Sequence, residues 1–559
     1  MSDSTSQQNR GLRLYDLLAS AFLQENVDTC FALLGDANMY WASRLAERGC
    51  RMVHVRHEHC AVAAAMAWAR VTGRVGVASV TCGPGLTQTM TALPAAVLAR
   101  IPLVVFAGEP PLKAAWYNQM IEQAPFVQAT GAAYQRLHAP ERMAEAVRDA
   151  FIQAVEERRP VVLGVPMDLQ DRPLAEEPLL PPPAWNVLAR RSPIQPHPDD
   201  LAEASRRIAA ARRVVILGGL GATAPAAVEA ARELAARCDG LLATTLPARG
   251  LYHDDPFDAG IAGGLASPVA TEVLKEADLV IAAGTSLAYH TSMGGKFWPN
   301  AQVLQIDTDP ATLSQGRVAA DIHMRADATL ALQALAAAVP KRAADWRSEA
   351  LAARLRETPV FPAAEPSSAD GVHDPRAAVI ALDRAIPKDW HLVNTSGHVS
   401  SFTAQMRGRP HDRFLTIREF GAIGNGTSFA MGVAAARPGQ PVVLLDGDGS
   451  LMMHVQELET MQRCGLRVLV VVLNDGAYGS EIHKLRARGV TDSGAVFGRP
   501  DLAAVAQGFG LMAGRLDDLI QLPAFVERFA TGDGPALLDV PINDRVMATQ
   551  MASRAGASH

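Results

Sequence analysis

The sequence predicts an α/β protein built from three consecutive doubly wound domains, each a parallel sheet covered by helices on both faces. Three observations predict it. Short, unbroken apolar runs recur along all 559 residues, as strands buried on both faces require. Stretches with helical spacing separate those runs, as crossovers between parallel strands demand. Two proline-rich or polar stretches, 173–196 and 341–370, divide the alternation into three sets of similar length, and the length itself is too great for one core.

The first set occupies residues 10–172. Leu14, Leu17, Leu18, Ala21 and Phe22 form a helical stripe, and Met52–Val55, Val75–Val80, Leu103–Phe106 and Val161–Val165 read as strands. The second set, 197–340, carries strands at Val214–Leu217, Leu279–Ala282 and Val303–Ile306. The third, 371–545, has strands near His391–Val393, Val442–Leu445, Val468–Leu473 and Ala536–Val540. A short polar tail, 546–559, is expected to be disordered or to fold over a site as a lid.

Composition narrows the function classes. A hydrophobic content of 49% with 20% charged residues describes a globular chain, and a net charge of -6 leaves no footprint for nucleic acid. No stretch is long enough to span a bilayer, and the polar amino terminus lacks the apolar core of a signal peptide. The six cysteines show no zinc spacing and read as reduced thiols, so a cytoplasmic protein is expected.

The most informative segment is Pro441–Gly479. One strand ends in Gly447-Asp448-Gly449, a second ends in Asn474-Asp475-Gly476, and Val455, Leu458, Met461 and Gln462 lie between them at helical spacing. That is a strand–helix–strand crossover, which sets Asp448 and Asp475 side by side at the carboxyl ends of neighbouring strands, where open sheets bind ligands. Two carboxylates there repel unless a cation lies between them. Hard oxygen ligands suit Mg2+, which keeps positions open for phosphates.

GDG, then residues 450–473, then Asn-Asp resembles the diphosphate-binding signature of thiamine diphosphate (ThDP) enzymes, specifically the acetohydroxyacid synthase, pyruvate decarboxylase and benzoylformate decarboxylase group. The resemblance covers nearly the whole chain. It implies a pyrimidine-binding domain (10–172), a central domain (197–340) and a diphosphate-binding domain (371–545). It also implies a subunit arrangement in which the pyrimidine domain of one copy faces the diphosphate domain of another. A homodimer is then the minimum unit and a homotetramer is expected.

Site residues follow from the same resemblance. Glu58, in Arg56-His57-Glu58 before an alanine-rich helix, matches the glutamate that hydrogen-bonds the coenzyme's pyrimidine nitrogen N1'. By itself it reads equally as a first-turn acid favoured by the helix dipole. Pro84, in Gly83-Pro84-Gly85, matches the turn lining the pyrimidine pocket. Asp448 and Asp475 match the metal side-chain ligands, and Ala477 the backbone ligand. Most relatives carry Asn at the Asp475 position. Gly447, Gly449 and Ser450 belong to the diphosphate loop, Gly449 and Ser450 as amide donors at a helix start. Gly397 and His398 match a second phosphate-contacting loop. The Gly421 carbonyl would accept from the 4'-amino group, and Ile423 would be the apolar wedge that folds the coenzyme. On the substrate side, Asp36 and Glu481 match acids that manage protons, and Gln119 a glutamine that orients substrate. Taken alone, Asp36 reads as a turn residue and Glu481 as a solvated helix position.

The departures from the family are informative. The adjacent histidine pair of pyruvate decarboxylases is absent from 109–120, and Lys484 stands where acetohydroxyacid synthases place a tryptophan. Gly218-Gly219-Leu220-Gly221 follows a strand without completing a dinucleotide fingerprint, and Thr285–Tyr289 replaces the run used for FAD, so FAD is not favoured though not excluded. The expected activity is a ThDP- and Mg2+-dependent lyase or carboligase for a 2-oxo acid or related ketone, acetolactate synthase-like, with a small carbonyl substrate and neither nucleic acid nor membrane as partner. The alternatives are a 2-hydroxyacyl-CoA or oxalyl-CoA lyase of the same fold, and a non-catalytic ThDP-binding regulator.

Overall fold

The computed structural model describes residues 11–176, 179–189, 191–309, 319–364 and 371–549. They form three six-stranded sheets, all parallel, one after another along the chain. The first contains β1 (Thr29–Ala32), β2 (Arg51–His54), β3 (Gly76–Val80), β4 (Leu103–Glu109), β5 (Ala133–Arg136) and β6 (Pro160–Pro166) in the order β2-β1-β3-β4-β6-β5. The second contains β7 (Val214–Gly218), β8 (Leu241–Thr244), β9 (Asp258–Ile261), β10 (Leu279–Ala283), β11 (Gln302–Asp307) and β12 (Ile322–Arg325), ordered β12-β11-β10-β7-β8-β9. The third contains β13 (His391–Asn394), β14 (Phe414–Thr416), β15 (Val442–Gly447), β16 (Val468–Asn474), β17 (Met512–Arg515) and β18 (Ala536–Pro541), ordered β14-β13-β15-β16-β18-β17.

The first and third sheets therefore share one strand order. In each, the chain runs outward in both directions from a neighbouring pair, β1/β3 and β13/β15. Such a switch point opens a crevice at the carboxyl ends of the strands. The central strands β4, β6, β16 and β18 are buried along their whole length, as their unbroken apolar sequences require. The strands not anticipated from sequence are short, and five of them, β5, β9, β12, β14 and β17, are sheet edges. Most carry polar or small residues, as in Met512-Ala513-Gly514-Arg515, because an edge needs no long apolar run; β14, Phe414-Leu415-Thr416, is buried but only three residues long.

Both stretches read as connectors carry helices and are strapped to the domain before them. Ala184–Val187 is helical, Ala184 is buried, and its amide donates to the Glu25 carboxylate at 2.9 Å. Glu349–Glu357 is helical, and Asp239 accepts the amides of Asp345, Trp346 and Arg347. Proline and charge mark where sheets stop. They do not report a Trp346 or Leu355 that still finds a core.

Two helices join the first and third domains. Glu58–Thr72 is N-capped by His57, whose Nδ1 accepts the His59 amide, and it ends at Gly73 with φ +71°. Its residues from His59 to Ala69 are all buried, because it lies between its own sheet and the helix Gly426–Ala436. Gly432 makes that contact close: a methyl there would overlap the Ala64 carbonyl. No helix among the described residues is long and apolar enough to cross a membrane. Of the tail, only 546–549 is described. Ala548 is buried and donates its amide to His398 Nε2 at 3.0 Å. The lid expected of the remaining residues lies outside the described residues.

Candidate active site

The crevice of the third sheet gathers the residues of the 441–479 segment. β15 and β16 are paired with Gly447 opposite Leu473, so Asp448 and Asp475 leave adjacent strand ends together. Both are buried, at 1% and 7% exposure. The Gly476 amide donates to Asp448 Oδ2 at 3.0 Å and the Ala477 amide to Asp475 Oδ1 at 3.3 Å. Asp448 Oδ1 is buried with no partner. Burial, then the charge of Asp448, pushes the Asp475 carboxyl far above the usual carboxylate range, and burial raises Asp448 as well. No third acidic, histidine or cysteine side chain among the described residues joins them to complete a protein-only metal cage. Two strained carboxylates, one with an idle oxygen, fit a small divalent cation that takes its other ligands from phosphate and water. Ala477, the expected backbone ligand, is buried beside them, held by its pairing with Val496.

Across the switch point, Gly397 adopts φ +101° and leads into His398. His398 is buried, and burial followed by the nearby His483 lowers its pKa to about 3, so the ring is neutral. Its Nε2 accepts from Ala548, which leaves the proton on Nδ1. That Nδ1 is buried without a partner. A methyl on Gly479 would lie 2.5 Å from Asp475 Oδ2 and 2.9 Å from His398 Nδ1, so an idle donor and the strained acids share one pocket. A neutral N–H donor beside two acids is chemistry that suits a metal-bound diphosphate. Gly449 must lack a side chain because a Cβ there would meet the Tyr478 ring at 2.8 Å. Beyond it opens a cavity of about 860 Å3 lined by Met452, Met453, Tyr478, Phe497 and Arg499, a volume typical of small-molecule sites.

The Ser450 hydroxyl is engaged internally. It donates to Asp446 Oδ2 at 3.0 Å and accepts from the Gly424 amide at 2.9 Å. Asp446, which the sequence reading missed, is fully buried, raised to about 6 by burial, and also holds the Thr395 hydroxyl. An acid closing an apolar strand just before the Gly447 turn was the available signal. Gly421 (φ +72°) and Gly424 (φ +86°) shape the loop that carries Ile423, and Ile423 Cγ2 would stand 3.8 Å from a Cβ on Gly397. Ile423 thus lies against Gly397 and its loop is tied to Ser450, whereas Gly421 is exposed and a Cβ there would meet nothing within 4 Å.

The crevice of the first sheet gathers the others. Gly35 and Gly85 both press on Thr81, with built Cβ atoms 2.7 Å from it. A Cβ on Gly85 would also lie 3.5 Å from Glu58 Oε1, and burial raises the half-buried Glu58 carboxyl. The Asp36 carboxylate accepts from the Tyr117 hydroxyl at 3.0 Å. Gln119 Oε1 accepts from the Cys82 thiol at 3.5 Å, next to the Gly83-Pro84-Gly85 turn. Glu58, Asp36, Pro84 and Gln119 thus meet around the β1/β3 switch point. Gln123, also missed, fixes the turn: it is buried, accepts from the Gly83 amide at 2.8 Å and donates to the Gly108 carbonyl at 3.0 Å.

Within one chain the two crevices are linked by positioning contacts and not by the site acids. The Arg56 amide donates to Glu457 Oε1 at 2.9 Å, and His59 Nε2 meets Asn425 Oδ1 at 2.5 Å. Among the described residues, no hydrogen bond or ion pair joins Glu58 to Asp448 or Asp475. Glu481 is not drawn into either crevice. It sits on the outer face of the helix Gly479–Ala487, 55% exposed and 3.6 Å from Lys484.

In the central domain, the Gly219 and Gly221 amides donate to the carbonyls of Ala283 and Gly284, both at 2.9 Å. The glycines there allow two strand-end turns to touch, and these two amides do not face a crevice.

Comparison with known proteins agrees with this layout. Residues 12–129, 201–335 and 395–540 match the N-terminal, central and C-terminal domains described for thiamine pyrophosphate enzymes. The chain is 29% identical over 537 residues to the acetolactate synthase isozyme 2 large subunit of Escherichia coli, covering 94% of each. It is 28% identical over 547 residues to an acetolactate synthase large subunit of Parasynechococcus marenigrum, covering 94% of this chain and 86% of that one. It is also 28% identical over 533 residues to a probable 2-ketoarginine decarboxylase of Pseudomonas aeruginosa, covering 92% and 91%.

Proposed function

The chain belongs to the thiamine diphosphate-dependent enzyme family, and from that premise we propose a ThDP- and Mg2+-dependent lyase or carboligase that decarboxylates a 2-oxo acid, or joins two carbonyl compounds, in the manner of an acetolactate synthase. The observation that carries the reading is the pairing, in one buried pocket, of two carboxylates with an idle oxygen and a neutral histidine with an idle N–H. A metal-bound diphosphate satisfies both at once.

The coenzyme, when bound, supplies the carbanion chemistry at its thiazolium ring. The chain's residues do the rest. Asp448, Asp475 and the Ala477 carbonyl would hold the cation, and His398 Nδ1 with the Gly449 and Ser450 amides would serve the diphosphate. The cavity beyond Gly449 offers the substrate an apolar wall of Met452, Met453, Tyr478 and Phe497. Glu58, raised by burial, holds a proton against N1' of the pyrimidine. On the same rim Asp36 would manage protons and Gln119 would orient the substrate.

Glu58 and the two metal acids make no mutual contact within one chain. The complete site on this reading is formed between two copies, a homodimer at minimum and a homotetramer as the expected assembly. Glu481, exposed in a single chain, would then meet substrate only in the assembled enzyme. The engaged Gly219 and Gly221 amides weigh against a nucleotide or CoA pocket at that turn, and FAD remains disfavoured.

The test is a screen of 2-oxo acids, including pyruvate and a 2-oxo acid with a cationic side chain, with purified protein, ThDP and Mg2+, following CO2 and ligated products. EDTA should release the coenzyme. Glu58→Gln should keep coenzyme binding and lose turnover, and unchanged turnover would falsify the role given to Glu58.

A further inference from the structure

The direction in which Glu58 enters its crevice is set by the residues just before it, because Glu58 is the first residue of its helix. That turn, Val55–His57, is gripped from the diphosphate domain. Glu457 Oε1 accepts the Arg56 amide at 2.9 Å, Glu459 takes the Arg56 guanidinium at 2.7 Å, and the His57 ring meets the His454 ring edge-on at 5.0 Å. The Glu459 contact is exposed and ion-paired, of the kind that contributes little. Glu457 is different. It is 0% exposed, makes no salt bridge among the described residues, and keeps Oε2 buried without a partner. The Thr460 hydroxyl, the Cys60 thiol and the His57 amide also approach the carboxyl as neutral donors, so nothing beside it brings a compensating charge.

A buried carboxyl with an idle oxygen is a poor way to stabilise a fold, and a hydrophobic side chain of similar size would pack as well or better. What only an acceptor of this reach provides at that point is a fixed Arg56 amide. We propose that Glu457 is a positioning residue for Glu58, which holds the 55–57 turn across the domain boundary so that the Glu58 carboxyl points into the pyrimidine crevice. The proposal rests on the reading of Glu58 given above.

The test uses the full-length protein and two variants. Glu457→Leu keeps the volume and removes the acceptor, and Glu457→Gln keeps an acceptor oxygen at the same reach. Hydrogen exchange of the peptide spanning 55–60, measured without coenzyme, reports the grip directly. ThDP·Mg2+ binding, melting temperature, kcat and KM report the consequence. Glu457→Leu should melt no lower than the unaltered protein, lose protection at Arg56, bind ThDP within about threefold, and lose kcat by roughly 10–100-fold with KM little changed, the size expected of a misplaced catalytic group. Glu457→Gln should restore protection and most of kcat.

Unchanged exchange or full kcat in Glu457→Leu overturns the proposal. So does a kcat loss matched by lost ThDP binding and a lower melting temperature, which marks a merely structural residue. Should Glu457→Leu fail to fold, Glu457→Asp withdraws the acceptor by one methylene and must give the same split in smaller size, and full kcat there is equally fatal. Failure of the unaltered protein to bind ThDP would sink the underlying reading and is seen separately from all of these.

Discussion

Gly432→Ala tests whether the contact between the Glu58 helix and the Gly426–Ala436 helix controls the site. A methyl at 432 overlaps the Ala64 carbonyl oxygen and lies 2.9 Å from Ala67 Cβ. Ordinary carbon contacts need about 3.5–4.0 Å, so the helices must part by roughly 1 Å. The opposing group is backbone in a helix buried on every side and has nowhere to turn. The strain therefore belongs at the upper end of overpacking, about 3 kcal/mol. Alanine returns about 1 kcal/mol through helix propensity, leaving a net loss of about 2 kcal/mol.

The functional effect should be larger than the thermal one. A displacement of roughly 1 Å at the Glu58 end is enough to cost about 100-fold in turnover. Calorimetric melting together with kcat on the coenzyme-loaded enzyme would measure both. Gly508→Ala serves as control, since a Cβ there meets nothing within 4 Å. Full turnover and an unshifted melting curve in Gly432→Ala would mean that the two helices do not set the geometry of Glu58.

Two further outcomes are expected. Burial, then His454, depresses His59 from its ordinary 6.5 to about 4. Between those values the unfolded chain binds a proton that the folded chain refuses, so stability is complete above about pH 6.5 and is lost as pH falls toward 4. At about 1.4 kcal/mol per unit, His59 accounts for roughly 3 kcal/mol of that loss. Denaturant melts at pH 7 and pH 5 should show a smaller pH effect in His59→Gln, and an identical effect would refute the assignment. Asp475→Asn replaces a carboxyl that the metal-free pocket keeps protonated near neutral pH by an amide that is neutral at every pH. It should leave the melting temperature of the metal-free protein little changed near pH 7 while weakening Mg2+-dependent ThDP binding and flattening its rise with pH, because the aspartate must shed its proton to hold the cation. Calorimetry across pH 6–8 decides it, and an unchanged pH slope would count against the carboxylate pair as the metal site.

The sequence alone determined the elements whose signals are local. β15, β16 and β18 were legible as unbroken apolar runs because a strand buried on both faces has no polar position to spare. Asp448 and Asp475 were legible because a strand–helix–strand crossover has one hand, which fixes which strand ends lie side by side. Glu58, Pro84, Gly397 and Gly421 were assigned by resemblance alone, since a first-turn acid and a turn glycine carry no chemistry in their own spacing.

The tertiary structure decided whatever depends on a partner remote in the chain. Asp446 gains its place from Thr395 and Ser450, Gln123 from Gly83 and Gly108, and Glu457 from Arg56, 401 residues away. Glu457 lies one helical turn from Met461, on an apolar face where a charge is out of pattern, yet the pattern could not say what it grips. Glu481 could not be placed from its interval to Asp475, because a helix face buried or exposed reads the same in sequence. Burial and long-range hydrogen bonding are properties of the assembled chain, and they decide which acids are raised, which donors are idle, and hence where a coenzyme fits.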